Sequence, residues 1–125
     1  MTMIKITCGS KNDRFGRTTF LLLEDGTVQV TNEHVGERYE YQERVNPVPW
    51  QQLGKNLQPH QGMDAIAMRK GTAHEAVYEI QVGGDKEQMN MSIWHNDLKK
   101  YPAIEVLIQA ARESVRKFSN GKVQL

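Results

Sequence analysis

Residues 17–32, RTTFLLLEDGTVQVTN, carry the strongest local prediction of structure in this chain. Two runs rich in β-branched and apolar residues flank Asp25-Gly26, a pair that tolerates the positive φ angles of a tight type I′ turn. The stretch therefore predicts a β-hairpin. Its run FLLL, residues 20–23, is apolar on both faces, which is typical of a strand inside a sheet.

Further strands are predicted on both sides of this hairpin. MIKIT (3–7) alternates and is rich in β-branched residues, and GERYEYQERV (36–45) has one aromatic and one charged face, as in a half-exposed strand. Later in the chain, DAIAMRK (64–70), EAVYEIQV (75–82) and EQMNMSIW (87–94) predict a three-stranded meander with glycine-containing turns.

Two helices interrupt and close this series of strands. Asn46-Pro47 predicts an N-cap followed by proline at the first helical position, ahead of VPWQQLGKNL (48–57). Residues 102–118 place apolar side chains at helical spacing, and Asn120-Gly121 supplies a stop. Runs of strands each followed by a helix predict one α+β domain over residues 1–125: a single antiparallel sheet of about six or seven strands with two helices packed on it.

Composition limits the classes of function. Of the 125 residues, 38% are hydrophobic and 25% charged, which predicts a soluble globular protein. The net charge is +1 and no basic stripe is present, so we expect no nucleic-acid partner. We expect no membrane partner either, because no run of ~20 apolar residues occurs. The N-terminal segment lacks a signal-peptide pattern, and the single cysteine, Cys8, excludes an internal disulfide; both favour a cytoplasmic location.

The sequence predicts no cofactor, metal site or catalytic residue. No pair of histidines has the close spacing of a metal site on one element, and no phosphate-binding or nucleophile motif is present. A metal site built across the fold stays open as an alternative. The histidines are His34, His60, His74 and His95.

The loop GSKNDRFGR (9–17) is the first candidate binding surface. It carries Arg14 and Phe15 between Gly9 and Gly16, with Arg17 directly after the second glycine. An exposed phenylalanine between arginines resembles the anchors that protein interfaces use. The alternative is that Phe15 folds back onto the sheet edge.

The corner Trp94-His95-Asn96-Asp97 is the second candidate surface. The residues Met89, Met91 and Ile93 predict a core-facing row, so Trp94 faces the other way, where it either anchors the strand–helix joint or binds a partner. His95 and Asp97 could also act as a base and its orienting carboxylate. Because no nucleophile, metal or oxyanion donor accompanies them, we interpret the corner as the joint.

Three segments together resemble emfourin-type proteins, which are small α+β inhibitors of thermolysin-like metalloproteases. These segments are IKIT with its glycine-containing loop, the YEIQV and MNMSIW hairpin, and PAIEVLIQAAR near the end, with PWQQLGKNL between. The chain also resembles small bacterial domains with a DGTV hairpin and a following helix. The resemblance implies no catalytic residue and points to residues 14–17 as the inhibitory segment. The loop GSKNDRFG lacks a clear Gly-Gly-Phe segment, and the insertion TNEHVGERYEYQERV is long, so the chain departs from the emfourin pattern at both places.

These observations predict a small non-enzymatic module that binds a protein partner, through residues 9–17 or through the strand end at Trp94. An inhibitor of proteases is one version of this function. Two alternatives are an enzyme or small-ligand binder that uses the His95/Asp97 corner, and a structural subunit that forms a homodimer. The alternating strand at 36–45, with its two tyrosines, would supply the surface for self-association.

Overall fold

The computed structural model describes residues 2–9, 16–57, 76–83, 88–123 and 125. Six strands and two α-helices follow one another, with a 3₁₀ turn between the last strand and the second helix. The elements are β1 (Thr2–Cys8), β2 (Arg17–Leu23), β3 (Thr27–His34), β4 (Glu37–Arg44), α1 (Val48–Lys55), β5 (Val77–Gly83), β6 (Gln88–Trp94), the 3₁₀ turn (His95–Lys100) and α2 (Pro102–Phe118).

The six strands form one sheet in the order β4-β3-β2-β1-β5-β6, and all neighbours are antiparallel. The α+β class and the single antiparallel sheet with two α-helices are confirmed. β2 is an interior strand, as its apolar run predicts. The predicted strand at 64–70 lies outside the described residues, so the structure describes only the β5–β6 hairpin of the predicted meander.

One face of the sheet and the apolar stripe of α2 form the core. Alternate residues of each inner strand are buried, because side chains of a strand point to opposite faces in turn. Trp50 of α1 packs on Phe20 of β2 with ring centroids 5.2 Å apart. Each fully buried aliphatic side chain contributes roughly 1.5–3 kcal/mol. The α2 stripe consists of Ile104, Leu107, Ile108, Ala111 and Val115.

The β2–β3 turn differs from the predicted type I′ turn. Only Gly26 has a positive φ there, at 91°, whereas a type I′ turn needs two such residues. The N–H of Gly26 donates to the Leu23 carbonyl at 3.0 Å, and Asp25 Oδ1 accepts from the N–H of Thr27 at 2.8 Å. The connection is a three-residue loop in which the Asp25 side chain satisfies the first N–H of the returning strand.

The ends of the helices follow the predicted signals closely. α1 begins at Val48, one residue later than predicted, and Asn46 Oδ1 accepts from the Val48 N–H at 3.1 Å. α2 has the predicted bounds. At its end Asn120 has φ 55°, and the N–H of Gly121 donates to the Arg116 carbonyl at 2.8 Å, as in a Schellman motif.

Candidate binding surface at one end of the sheet

Gly9, Gly16 and Arg17, the described residues of the first predicted surface, lie at the same end of the sheet as Trp94, and we name this the Arg17–Trp94 end. β1 finishes there at Cys8, β2 begins there at Arg17, and β6 finishes there at Trp94. Cys8 pairs with Thr18 on one side and with Tyr78 on the other. Neighbouring strands lie about 4.8 Å apart, so the three strand steps from β2 to β6 separate Arg17 from Trp94 by about 14 Å.

Two glycines close the base of the β1–β2 loop at this end. Gly9 and Gly16 have φ angles of 86° and 74°. A Cβ on Gly9 would lie 2.3 Å from the Gly16 carbonyl oxygen, and one on Gly16 would lie 2.6 Å from the Glu33 carbonyl oxygen. Side chains are therefore excluded at both positions, and the two arms of the loop leave the sheet from a tightly closed base. Arg14 and Phe15 lie outside the described residues.

Arg17 is exposed at the start of β2. Its register partner on β3 is Glu33, whose carboxylate also lies 3.6 Å from Arg38 Nη1. Arg38 in turn forms a 2.6 Å ion pair with Glu40. Arg38 and Glu40 are largely accessible to water and Glu33 is partly so, so each of these ion pairs contributes only about 0–1 kcal/mol. Arg17 lies at the surface beside them.

Trp94 is half-buried at the junction of β6 and the 3₁₀ turn. It pairs with Val77 in the sheet, and the N–H of the next residue, His95, donates to the Ala76 carbonyl at 2.9 Å. Its position agrees with the predicted role as an anchor of the joint. Part of the side chain remains accessible for contact with another molecule.

The predicted neighbours His95 and Asp97 have different surroundings. The Asp97 side chain is 10% exposed and lies 3.4 Å from Lys100 Nζ within the 3₁₀ turn. His95 is exposed, and its Nδ1 lies 3.2 Å from the Tyr78 hydroxyl. The group that orients His95 through Nδ1 is therefore a tyrosine of β5.

Arg112 completes this cluster from α2. Its Nη2 donates to the Tyr78 hydroxyl, and the centre of its guanidinium lies 5.9 Å from the centroid of the Tyr78 ring. Its Nε donates to the main-chain oxygen of Leu125 at 3.2 Å. Burial raises the pKa of Tyr78 and outweighs the lowering by Arg112, so the phenol stays protonated at neutral pH.

Sequence reasoning missed the cluster of Tyr78, His95 and Arg112. Alternation along β5 correctly places Tyr78 in the core row, and helical spacing places Arg112 on the solvent face of α2, where it is in fact only half-exposed. The available signal is Tyr78 itself, because a buried tyrosine hydroxyl usually needs a hydrogen-bond partner. That signal does not say which helix residue supplies the partner.

The described residues contain no group of three or more His, Cys, Asp or Glu side chains that could hold a metal ion. His60 and His74 lie outside the described ranges. None of the helices in the described part of the chain has the length and apolar character needed to span a membrane.

No protein-family model matches the chain, and no curated protein is significantly similar to it.

Proposed function

We propose that the protein is a small non-enzymatic module that binds a protein partner through the Arg17–Trp94 end of the sheet. The observation that carries this proposal is the strand register, which brings Arg17 and Trp94, residues of the two surfaces predicted separately, to one end of the sheet. A patch about 14 Å across fits within the surface that a protein partner covers.

The chemistry of the side chains supports this location. Arg17 and His95 are exposed, and Trp94 offers a half-buried aromatic ring. Arginine and tryptophan are enriched among the residues that dominate binding energy in interfaces. Gly9 and Gly16 bring the backbone of β1 close to that of β2, and the backbone of β2 close to that of β3, beside Arg17.

Affinity capture from a lysate of the source organism tests the proposal. Wild type is compared with Arg17→Ala and with the control Arg44→Ala, which removes an exposed arginine at the opposite end of the sheet. We expect a protein that wild type and Arg44→Ala retain and that Arg17→Ala loses. Equal retention by all three would refute binding at the Arg17–Trp94 end.

The resemblance to emfourin-type inhibitors suggests one specific partner, a thermolysin-like metalloprotease. Its support is the order of the sequence segments and the position of the loop at the candidate surface. The test is an assay of thermolysin activity at rising concentrations of the protein. Inhibition that Arg17→Ala weakens and Arg44→Ala leaves intact is the expected result, and undiminished protease activity would exclude this version of the function.

One observation supports the alternative that the protein is an enzyme with His95 in its active site. A second titratable group, Tyr78, lies within hydrogen-bonding distance of His95. The surroundings of Tyr78 argue against general-base catalysis. Tyr78 accepts from Arg112, and donation of its own proton to His95 Nδ1, its nearest described acceptor, would occupy the lone pair that a base needs. The cluster therefore favours a binding role for His95.

Self-association through β4 is the remaining alternative. Among the described residues, β4 pairs only with β3, and its Tyr39 is 43% exposed. Its sequence, ERYEYQER, would match opposite charges if two copies paired antiparallel with Glu37 facing Arg44 and Arg38 facing Glu43.

Strand geometry forbids that charge-matched register. A symmetric antiparallel pair has its two-fold axis perpendicular to the sheet, so each side chain keeps its face. Residues that oppose each other must then both be odd-numbered or both even-numbered, because faces alternate along a strand. The allowed registers that pair nearly the whole strand set Glu40 against Glu40 or Arg38 against Arg44, and like charges destabilise them. We expect the mass of a single chain in sedimentation analysis, and a dimer mass would revive this alternative.

A further inference from the structure

A chain of two hydrogen bonds crosses the Arg17–Trp94 end between three elements. It begins at Arg112 on α2, passes through the hydroxyl of Tyr78 on β5, and ends at His95 on the 3₁₀ turn. Tyr78 is buried and Arg112 half-buried, whereas His95 is exposed. The chain therefore joins the interior of the protein to its surface.

The chemistry of the three groups fixes the direction of this chain. A guanidinium only donates hydrogen bonds, so the Tyr78 oxygen must accept from Arg112. The remaining phenol proton needs an acceptor, and His95 Nδ1, at 3.2 Å, is the one found among the described residues. With its Nδ1 accepting, the neutral imidazole of His95 carries its proton on Nε2.

We infer that the Nε2–H of His95 is a recognition group that donates a hydrogen bond to a carboxylate of the protein partner. The inference rests on the proposed function and adds the chemistry of the partner. Nδ1 is occupied by Tyr78, and the ring is exposed, so Nε2 is the atom that His95 offers to an incoming molecule. Because the buried pair behind it orients the ring, the donor is preorganised.

The charges around His95 favour an acidic acceptor. The carboxylate of Asp97 is buried and balanced by Lys100, while Lys99 is exposed and in no ion pair within the described part of the chain. Glu79 follows Tyr78 on β5 and therefore points to the opposite face of the sheet. A hydrogen bond to a charged acceptor is about twice as strong as one to a neutral acceptor.

Arg17 supplies a cationic donor at the same end but on the other face of the sheet, because it shares the face of Thr19, Thr7 and Glu79. The contact that we infer for His95 is therefore separate from that of Arg17, and separate substitutions test the two.

The protonated nitrogen of His95 can be identified without any partner. Long-range ¹⁵N–¹H NMR spectra of the histidine side chains distinguish the two neutral tautomers. Wild type should carry the His95 proton on Nε2, and Tyr78→Phe, which cannot donate to Nδ1, should show a mixture of tautomers. A wild-type His95 protonated mainly on Nδ1 would overturn the inference.

Two isosteric substitutions then test recognition by capture of the partner. His95→Gln places an amide nitrogen near the position of Nε2, whereas His95→Asn places one near Nδ1. We expect His95→Gln to retain the partner and His95→Asn to weaken its binding about tenfold, which is typical for one hydrogen bond to a charged group. Conversion of the partner's carboxylates to amides with a carbodiimide and an amine should weaken binding to wild type by a similar factor.

The outcomes separate this inference from the proposed function. Loss with Arg17→Ala but equal binding by His95→Gln and His95→Asn would overturn the role of His95 and leave the surface in place. Undiminished capture of a partner whose carboxylates have been converted to amides would overturn the carboxylate. Capture that neither Arg17→Ala nor His95→Asn weakens would overturn both proposals.

Discussion

The two ends of the sheet are built in different ways. At the hairpin end, formed by the β2–β3 turn and the end of β4, polar groups bond within the turn or to the next strand of the same meander: Asp25 accepts from Thr27, Gly26 donates to Leu23, and the Gly26 carbonyl accepts from Val45. At the Arg17–Trp94 end, Tyr78 is bonded by Arg112 and His95, which lie 34 and 17 residues away in the chain.

The hairpin end is a turn that depends on strands adjacent in sequence, whereas the Arg17–Trp94 end is a surface that depends on the whole fold. The hairpin end can form once the consecutive strands β2, β3 and β4 have paired, and it serves to reverse the chain. The Arg17–Trp94 end needs β5, the 3₁₀ turn and α2 in their final places before its hydrogen bonds exist. A change to one of its members therefore affects both stability and the chemistry that the surface offers.

Glycine substitutions should give the largest loss of stability, and they test whether both ends have equally tight backbones. Gly36→Ala keeps a positive φ of 78° with open space around the new Cβ, so it should cost about 1–2 kcal/mol. Gly26→Ala and Gly9→Ala add a Cβ 2.3 Å from a carbonyl oxygen and should each cost clearly more. Urea denaturation measures the three differences, and equal losses at all three sites would contradict the close backbone approaches.

Removal of the Tyr78 hydroxyl should destabilise the protein by about 1–2 kcal/mol, because Arg112 and His95 both lose a partner. Arg112→Met keeps much of the aliphatic part of the side chain. Comparison of the double variant Tyr78→Phe/Arg112→Met with the two single variants gives the coupling energy between the hydroxyl and the guanidinium. We expect about 1 kcal/mol of coupling in urea denaturation. Additive losses would show that the guanidinium and the hydroxyl do not stabilise each other.

Sequence patterns predicted the parts of the fold that depend on periodicity. The bounds of α2, the interior position of β2 and the core-facing row of β6 all follow from which residues are apolar. They also identified Arg17 and Trp94 as surface features. Periodicity says which way a side chain points, so it can assign each residue to a face or a stripe.

The same patterns could not predict which distant segments of the chain contact each other. The contact of Arg112 with Tyr78 depends on where α2 crosses the sheet, and the meeting of both candidate surfaces depends on the strand order. The type of the β2–β3 turn was predicted wrongly for another reason. Asp25-Gly26 suits both a two-residue and a three-residue loop, and the hydrogen bond from Thr27 to the Asp25 side chain stabilises the longer loop.

High pH should weaken the Arg17–Trp94 end selectively. Burial raises the pKa of Tyr78 in the folded state above its unfolded value near 10, so the fold favours the protonated phenol. The corresponding stability is fully present below about pH 10 and is lost as the pH rises through the folded pKa. Thermal unfolding from pH 8 to 11 should show this decline, and Tyr78→Phe should show less of it. The same decline in both proteins would assign it to other groups.

The smallest effect is expected at the hairpin end, on the acid side. Hydrogen bonds from Thr27 lower the pKa of Asp25, with a smaller contribution from Arg44, whose Nη2 lies 3.8 Å from the carboxylate. The folded pKa lies below the unfolded value, so this stabilisation is present above about pH 4 and is lost as the pH falls through the folded pKa.

Asp25→Asn keeps a side-chain oxygen for the Thr27 N–H and should lower the melting temperature less than Asp25→Ala at pH 7. Because Asp25 is exposed, neither variant should disturb the His95 tautomer at the far end, and a shift there would show that the two ends of the sheet are coupled.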